Sequence, residues 1–491
     1  MNLPKVFSDN MVLQRDINAP VWGTSAPGDA ITVTFKGQKK SATADASGAW
    51  MIRLDPLPAS AESAILTIIG ANDKKEFQNV LVGDVWLCSG QSNMECAFKE
   101  VPDEAAGVNI PEIRLVGGMG KISPIANDVF PHFSWQPCTA ASMQEFSRVG
   151  YYFGLKLRQE LKVPIGLINA SQGCSSIEAW MAPECFTANE RWKANLIEME
   201  MMKKVFQEYG GYSSAEKDRL ALEHCRDNIG RFANSYMING RPDPAKYENF
   251  LWHMLVVRSG CLYTHAIRPV IPYGIKGAIW YQGETNLYDN EYAARQKSLI
   301  ETWRALWGSE FHFYIVQIAP FKGYTDILPS FWLEQYAAAR STKHCGLIPT
   351  VDISDVNDVH PRDKRFVGLR LALLALNETY GRKDIAAHAP MYRAMEINGD
   401  TIRISFDNAG SGLTTKDGKS PDWFEIAGAD GKFTAAEARI DGDGVTLQSS
   451  LTKEPRAVRF AWSGIAEPNL RNREGLPVFP FDTTARESIR T

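Results

Sequence analysis

Ser92 lies in Gly83-Asp84-Val85-Trp86-Leu87-Cys88-Ser89-Gly90-Gln91-Ser92-Asn93-Met94-Glu95, where the apolar run Val82–Cys88 gives way to a glycine-bearing turn. Open α/β sheets bind ligands beyond the C-terminal ends of their parallel strands, so a hydroxyl at this point is placed as a nucleophile. Gly90 permits the tight turn that lets following backbone N–H groups face an anion. Taken alone, the same serine also reads as a helix N-cap. Three further segments weigh against that simpler role. Ala170-Ser171-Gln172-Gly173-Cys174-Ser175-Ser176-Ile177-Glu178-Ala179-Trp180 places Gly173 where a backbone N–H can meet a substrate oxygen. Gln282-Gly283-Glu284-Thr285-Asn286 supplies side-chain amides beside a flexible turn. Such donors suit acyl transfer, because an ester carbonyl under attack becomes an oxyanion and each preorganised hydrogen bond to it is worth roughly 3–4 kcal/mol of barrier. Finally, His360 stands in Asp352-Ile353-Ser354-Asp355-Val356-Asn357-Asp358-Val359-His360-Pro361-Arg362-Asp363-Lys364, a loop from which it can act as general base on the serine. The other seven histidines (His132, His224, His253, His265, His312, His344 and His388) lack this combination of strand end and neighbouring carboxylates, and read as structural or surface residues.

These loops need a scaffold. Apolar runs at Val82–Cys88, Val163–Asn169, Ile275–Tyr281, Phe311–Ile318 and Gly346–Ile353 read as strands buried on both faces. Between them, Val149–Lys162, Tyr292–Trp307 and Asp363–Tyr380 carry apolar residues at helical spacing, with Gly381 as a C-cap. Strands alternating with helices predict an α/β domain over 82–390, with a helical insertion over about 186–250 whose Met199, Met201 and Met202 read as packing residues. Residues 1–81 read as an N-terminal β-sandwich region, from runs such as Ile31–Phe35, Trp50–Leu54 and Ala64–Ile69. Residues 391–491 read as a C-terminal β-rich domain, with Thr401–Phe406, Val445–Leu447 and Ala457–Trp462 punctuated by Asp417-Gly418, Asp430-Gly431 and Asp443-Gly444.

The chain's composition narrows the substrate class. Its 491 residues are 44% hydrophobic, enough for a substantial core, and 53 Lys+Arg against 57 Asp+Glu leave a net charge of −4 with no basic footprint for nucleic acid and no membrane-surface patch. No apolar run is long enough to span a bilayer, and Met1-Asn2-Leu3-Pro4-Lys5 does not open a secretory signal, so the chain is expected to be soluble as given. Eight scattered cysteines without a C-x-x-C pair carry no zinc or redox motif, and they read as buried free thiols in preference to the one or two disulfides that a location outside the cytoplasm would allow. The absence of H-E-x-x-H or of a clustered His/Asp set leaves no metal expected, and oligomeric state is not legible.

The four segments resemble the SGNH hydrolase superfamily, and Asn10-Met11-Val12-Leu13-Gln14, Gly83–Glu95, Pro164-Ile165-Gly166-Leu167-Ile168, Ile177-Glu178-Ala179-Trp180, Trp280–Asn286 and His360-Pro361-Arg362-Asp363-Lys364 resemble, in order, the signatures of one of its families. Within it, nearly the whole chain resembles the sialate O-acetylesterase family of carbohydrate esterases. The resemblance implies a three-layer α/β/α, flavodoxin-like hydrolase domain with accessory β-sandwich or jelly-roll regions from both chain ends. It also implies removal of O-acetyl groups from sialic acids or sialoglycans without metal or organic cofactor. Carried onto this sequence, Ser92 is the nucleophile and His360 the base. The oxyanion hole comprises the N–H groups of Ser92 and Gly173 and a side-chain amide, Gln282 being preferred over Asn286 because it follows the strand directly. Gln91, Trp180, Tyr281, Glu284 and Arg362 are implied to bind substrate, although Trp180, Trp280 and Tyr281 suit core packing equally and Arg362 suits either a substrate carboxylate or an ion pair with Asp363. A glycan substrate implies a periplasmic or secreted location. An esterase for another acetylated carbohydrate, such as acetylxylan, and a non-catalytic carbohydrate-binding protein are the competing expectations.

Two departures stand out. Where the superfamily often has aspartate three residues before the histidine, this chain has Asn357, while Asp358 stands two before. Asp358, Asp352, Asp355 or a backbone carbonyl therefore remain open as the group that orients His360. Cys174-Ser175-Ser176 replaces a common Gly-Thr-Pro, which alters one expected pocket wall.

Overall fold

The computed structural model describes residues 1–117, 134–208, 213–217, 219, 237–238, 241–242, 257–324 and 327–484. His132, His224, His253, Cys225 and much of the expected insertion lie outside the described residues. The fold is mixed α/β with a large central sheet, and it packs as two compact units. One comprises Met1–Ser147, Lys162–Lys276 and Ser298–Glu310; the other comprises Arg148–Leu161, Gly277–Lys297 and Phe311–Thr491.

In the first unit, strand β1 (Lys74–Gly90) runs through the expected boundary at Val82. Its outer half is polar apart from Phe77, largely exposed, and pairs antiparallel with Ser60–Ile69. From Val80 onward every residue is buried, which explains the unbroken apolar text of Val82–Cys88. This inner half pairs in parallel with β3 (Ile165–Ser171), Ile165 opposite Asp84 and Ser171 opposite Gly90. On its other edge β3 pairs with β2 (Asn109–Gly117), a strand the hydrophobic pattern did not single out. The N-terminal block Asn10–Gln14 serves this arrangement. Val12–Gln14 pairs with Leu81–Gly83, the Gln14 side chain accepts the Val85 N–H at 2.8 Å, and Gln14 Nε2 reaches buried Asp84 at 3.1 Å. Arg15 completes the satisfaction of Asp84 with two bonds of 2.9 Å, as a buried carboxylate requires.

The second unit contains β4 (Gly277–Tyr281), β5 (His312–Val316) and β6 (Cys345–Ile348), all parallel. Expected strands here are shorter than the apolar runs, because residues beyond Ile348 leave the ladder to form loops. Among the described residues, the sheet strands are accompanied by helices α2 (Arg148–Leu161), α3 (Tyr292–Trp307), α4 (Leu328–Ser341) and α5 (Arg365–Glu378). Helix α3 has the expected bounds, and α4 is a further element absent from the sequence expectation. Helices α2 and α5 meet at Gly368, where an added Cβ would lie 2.8 Å from both Val149 O and Phe153 N.

Besides a two-stranded sheet that pairs Leu413–Thr415 with Leu470–Asn472, the C-terminal β region of this unit contains two four-stranded antiparallel sheets. One contains Met391–Asn398, Thr401–Asp407, Gly444–Gln448 and Glu437–Asp441; the other contains β7 (Phe424–Ala427) and β8 (Ala457–Phe460), flanked by Phe433–Ala435 and Phe481–Asp482. Ile404, Phe406, Val445, Ile426, Val458 and Phe460 fill their shared core. Seven cysteines fall within the described residues and all are free, with Cys174 and Cys345 half-buried and the rest buried. Among the described residues no helix is long and apolar enough to cross a membrane.

Candidate active site

In the first unit, two adjacent strand ends bring together the first pair of candidate residues. Gly90 closes β1 with φ +132°, a backbone conformation that favours glycine, and the chain turns directly into the short helix α1 (Ser92–Glu95). Gln91, not Ser92, is the N-cap, and its carbonyl accepts the N–H groups of Met94 and Glu95 at 2.8 and 3.0 Å. Half-buried Ser92 is thus the first helical residue, so the N-cap role considered for it is filled by its neighbour. Beside it, the Gln172 N–H donates to Gly90 O at 2.9 Å and extends the β1–β3 ladder by one step, which delivers Gly173 next to Ser92. A Cβ on Gly173 would lie 3.5 Å from Ser92 Cβ and 2.9 Å from Glu95 Oε2. Only glycine leaves that approach open.

Glu95 received no role from sequence. Its Oε2 accepts the Gly173 N–H at 2.5 Å, across 78 positions of chain. Burial pushes the Glu95 carboxyl up from 4.5 to about 7; the Gly173 bond and Lys99 pull it down, and Glu100 pushes it further up. Lys99 itself is held by Glu145 at 2.6 Å. An acid poised near neutrality therefore sits on the backbone donor nearest the candidate nucleophile. Beyond Gly173, Cys174 adopts φ +60°, a left-handed conformation uncommon for a side chain-bearing residue. Trp180 is fully buried, donates to Ser175 Oγ at 2.9 Å and accepts Trp303 Nε1 on its carbonyl at 3.1 Å. These bonds make it a brace for the Gly173 loop.

In the second unit, β4 delivers Gln282, which is fully buried and held by both ends of its amide. Tyr292 OH donates to Gln282 Oε1 at 2.8 Å, and Gln282 Nε2 donates to Asn286 Oδ1 at 2.8 Å. Gln335 Nε2 donates to the Gln282 carbonyl at 3.2 Å. This chain of bonds fixes the Asn286 amide with its oxygen turned to Gln282, and the Asn286 N–H donates to Gly283 O at 2.8 Å to close the turn. Half-buried Glu284 opens that turn, and Tyr281 is buried with Lys364 Nζ 5.9 Å from its ring centroid.

The loop after β6 carries the histidine. His360 is exposed, and Asp358 Oδ1 accepts its backbone N–H at 2.8 Å, a turn that ties the two residues together. Asp355 makes the equivalent turn to Asn357 at 2.8 Å, while Asp352 is engaged by Arg370 through bonds of 2.7 and 2.6 Å. Asp363 pairs with Arg365 at 2.7 Å, which holds its carboxyl below the usual range, so the ion pair considered for Arg362 goes to Arg365 instead. Arg362 itself is exposed, its carbonyl accepting Arg148 Nη2. Among the remaining described histidines, His388 pairs with Glu378 at 3.1 Å, His312 lies 5.0 Å from the His344 ring, and burial lowers the His265 pKa.

A carbohydrate acetylesterase from Xanthomonas citri shares this fold with a TM-score of 0.79 and 32% identity, covering 99% of this chain and 100% of its own. Sialate O-acetylesterases of several animals match this chain as well, at 26–28% identity over 80–82% of it. The chain belongs to the sialate O-acetylesterase family. The Mus musculus sialate O-acetylesterase is 28% identical over 454 residues, 82% of this chain and 78% of the mouse protein. The Homo sapiens sialate O-acetylesterase is 27% identical over 435 residues, 80% of this chain and 73% of its own. No family model matches the chain. Likeness to the Xanthomonas protein extends over both β-rich ends of the chain.

Proposed function

We infer that this chain is a serine esterase that hydrolyses O-acetyl esters of sialic acids. The observation that carries the inference is the juxtaposition of Ser92 with the Gly173 N–H at two adjacent parallel strand ends, in a chain of the sialate O-acetylesterase family. In this mechanism His360 takes the Ser92 proton as Oγ attacks the acetyl carbonyl, and the tetrahedral oxyanion is held by the N–H groups of Ser92 and Gly173 and by a side-chain amide. Asn286 supplies that amide, since Gln282 is committed to Tyr292 and to Asn286 and serves to orient it. His360 then protonates the departing sugar hydroxyl, and water activated by the same imidazole cleaves the acetyl-enzyme to acetate. Asp358 orients His360. Glu95 is the resting occupant of the Gly173 donor and must yield it to the oxyanion. Gln91, Glu284 and Arg362 flank the reacting groups along the sequence, and Arg362 is the cation suited to a substrate carboxylate. A periplasmic or secreted setting goes with such a substrate, and the β-rich ends act as accessory regions to a hydrolase core.

The Xanthomonas neighbour, described as a carbohydrate acetylesterase, favours one alternative, an acetyl ester on a different sugar. Acetate release from mono-O-acetylated sialic acids, compared with acetylated xylan, decides between them. Turnover confined to xylan would replace the sialate substrate, and full turnover by folded Ser92→Ala or His360→Ala would remove the mechanism.

A further inference from the structure

The C-terminal β region carries a second feature suited to sugar. In strands β7 and β8, Phe424 faces Phe460 and their rings meet at 4.5 Å in the core, while Glu425 faces Arg459 on the outer side. One step beyond Phe424 and Phe460 the regular ladder breaks. Trp423 and Ala461 both adopt left-handed backbone, at φ +61° and +49°, joined by a bond of 3.0 Å from the Ala461 N–H to the Trp423 carbonyl. Neither residue type favours that conformation, and for a bulky side chain it is a genuine outlier. Paired strain of this kind persists only where surrounding structure imposes it, and it gathers at ligand sites.

Beside this distortion, Trp423 and Trp462 line one cleft of about 700 Å³. Trp423 is 38% exposed, an unusual cost for so large an apolar group. Asp422, Glu425 and Arg459 line the same cleft. Arg459 is fixed by two bonds to Glu425, 2.6 and 3.1 Å, with its guanidinium carbon 4.3 Å from the Phe433 ring centroid, yet both partners keep about 30% of their side chains open to solvent. Flat apolar faces bordered by rigid, partly exposed hydrogen-bonding groups match a pyranose ring, whose C–H faces stack on indole and whose hydroxyls lie at its rim. Two carboxylates against one guanidinium leave the cleft net negative, which disfavours an anionic sugar.

We propose that the cleft lined by Trp423, Trp462, Glu425 and Arg459 is a non-catalytic binding site for neutral pyranose residues of a glycan. It stands apart from the esterase chemistry, so its test does not depend on that chemistry. Xylohexaose, cellohexaose and 3′-sialyllactose are titrated calorimetrically into the full chain carrying Ser92→Ala, with and without Trp423→Gly or Trp462→Ala. Glycine accepts the left-handed backbone that Trp423 strains to adopt, which offsets part of the packing lost with the indole, and a retained cooperative unfolding transition shows that the variant is folded. At least one neutral hexasaccharide is expected to bind, and each tryptophan variant to weaken it at least ten-fold, while Trp423→Gly in the Ser92 background hydrolyses a small acetyl ester at the unaltered rate. Absence of binding by either hexasaccharide at millimolar concentration would overturn the proposal, as would unchanged affinity in both tryptophan variants. A preference for 3′-sialyllactose that is lost with the indoles would also refute the neutral specificity.

Discussion

Replacing Glu95 with glutamine keeps the side chain's size and its acceptor oxygen but removes its titration. In the wild type, the ionised carboxylate makes a charge-assisted bond to the Gly173 N–H and places a negative charge where the oxyanion would form. The neutral acid releases that N–H more readily and does not repel the oxyanion. With its pKa pushed up to about 7, Glu95 is largely neutral at pH 6 and largely ionised at pH 8. Ionisation of Glu95 should therefore lower kcat/KM as pH rises through about 7. At pH 9 only about 1 molecule in 100 retains the Glu95 proton, so activity confined to that form falls ~100-fold, comparable with the 10²–10³ attributed to one oxyanion donor.

The assay is acetate release from a simple acetylated sugar between pH 5.5 and 9, corrected for spontaneous hydrolysis. Glu95→Gln should lose the alkaline fall. Stability should move with the same proton. The folded chain holds it between pH 4.5 and about 7 while the unfolded chain releases it, so this stabilisation is complete below 4.5 and is lost as pH climbs through 7. At ~1.4 kcal/mol per pH unit the loss has an upper bound of about 3 kcal/mol, and the melting temperature of Glu95→Gln should gain on the wild type at pH 8 but not at pH 4.5. Lys99 and Glu100 are the other charged groups acting on Glu95, and neutralising Lys99 should raise the pH of the alkaline fall. An alkaline fall that persists unchanged in Glu95→Gln, or a loss of most activity at pH 6, would refute the assignment.

Asp358→Asn retains an oxygen for the His360 N–H and so keeps the loop, but it removes the carboxylate; kcat should fall at least 100-fold with little change in melting temperature, and unchanged kcat would pass the orienting role to a backbone carbonyl. Asn286→Ala should lower kcat more than KM, by roughly 10²-fold, whereas Tyr292→Phe, which loosens Gln282 two bonds away, should cost about 10-fold; equal losses would make Gln282 the donor. Gly368→Ala drives a methyl against Val149 O and Phe153 N and should destabilise the second unit by ~1–3 kcal/mol, read by thermal unfolding, without altering KM.

The sheet strands were legible because burial on both faces leaves a visible trace: a short, unbroken apolar run such as Val82–Cys88, bounded by a glycine turn, suits a strand covered on both sides and little else. Strand β2 escaped because Asn109-Ile110-Pro111-Glu112 opens it with polar residues and a proline, and only its inner end is buried. Helix α4 escaped for a different reason. It begins Leu328-Pro329, and its buried stripe at helical spacing, Leu328, Phe331, Trp332, Gln335 and Ala339, is interrupted by a polar residue and closed by a small one, which weakens its apolar signal. Gln282 looked like the natural donor because it follows β4 directly. Its commitment to Tyr292 depends on how α3 folds back over the strand end, which local spacing does not report.

The two features that most change the chemistry, Glu95 and Trp423, share a cause of invisibility. Each matters because of what it costs the fold. An isolated glutamate in a short helix reads as a solvated charge until a distant loop buries it, and the bond to Gly173 exists only because Ser171 registers with Gly90 across two parallel strands. Trp423 reads as one more apolar residue before a strand; nothing in the letters Asp422-Trp423-Phe424 announces a left-handed backbone, as glycine or asparagine would. A motif search finds residues that satisfy a familiar pattern, whereas strain and unfavourable burial emerge only when long-range contacts are in place. A raised carboxyl pKa and a left-handed tryptophan are both departures from the cheapest local state, retained against a net stability of only about 5–15 kcal/mol in a typical domain. That expense is the physical reason to test them first: Glu95→Gln should stabilise the chain at alkaline pH while removing the alkaline control of turnover, and Trp423→Gly should relieve the backbone strain, at the cost of the indole's packing, while removing the grip on neutral sugar.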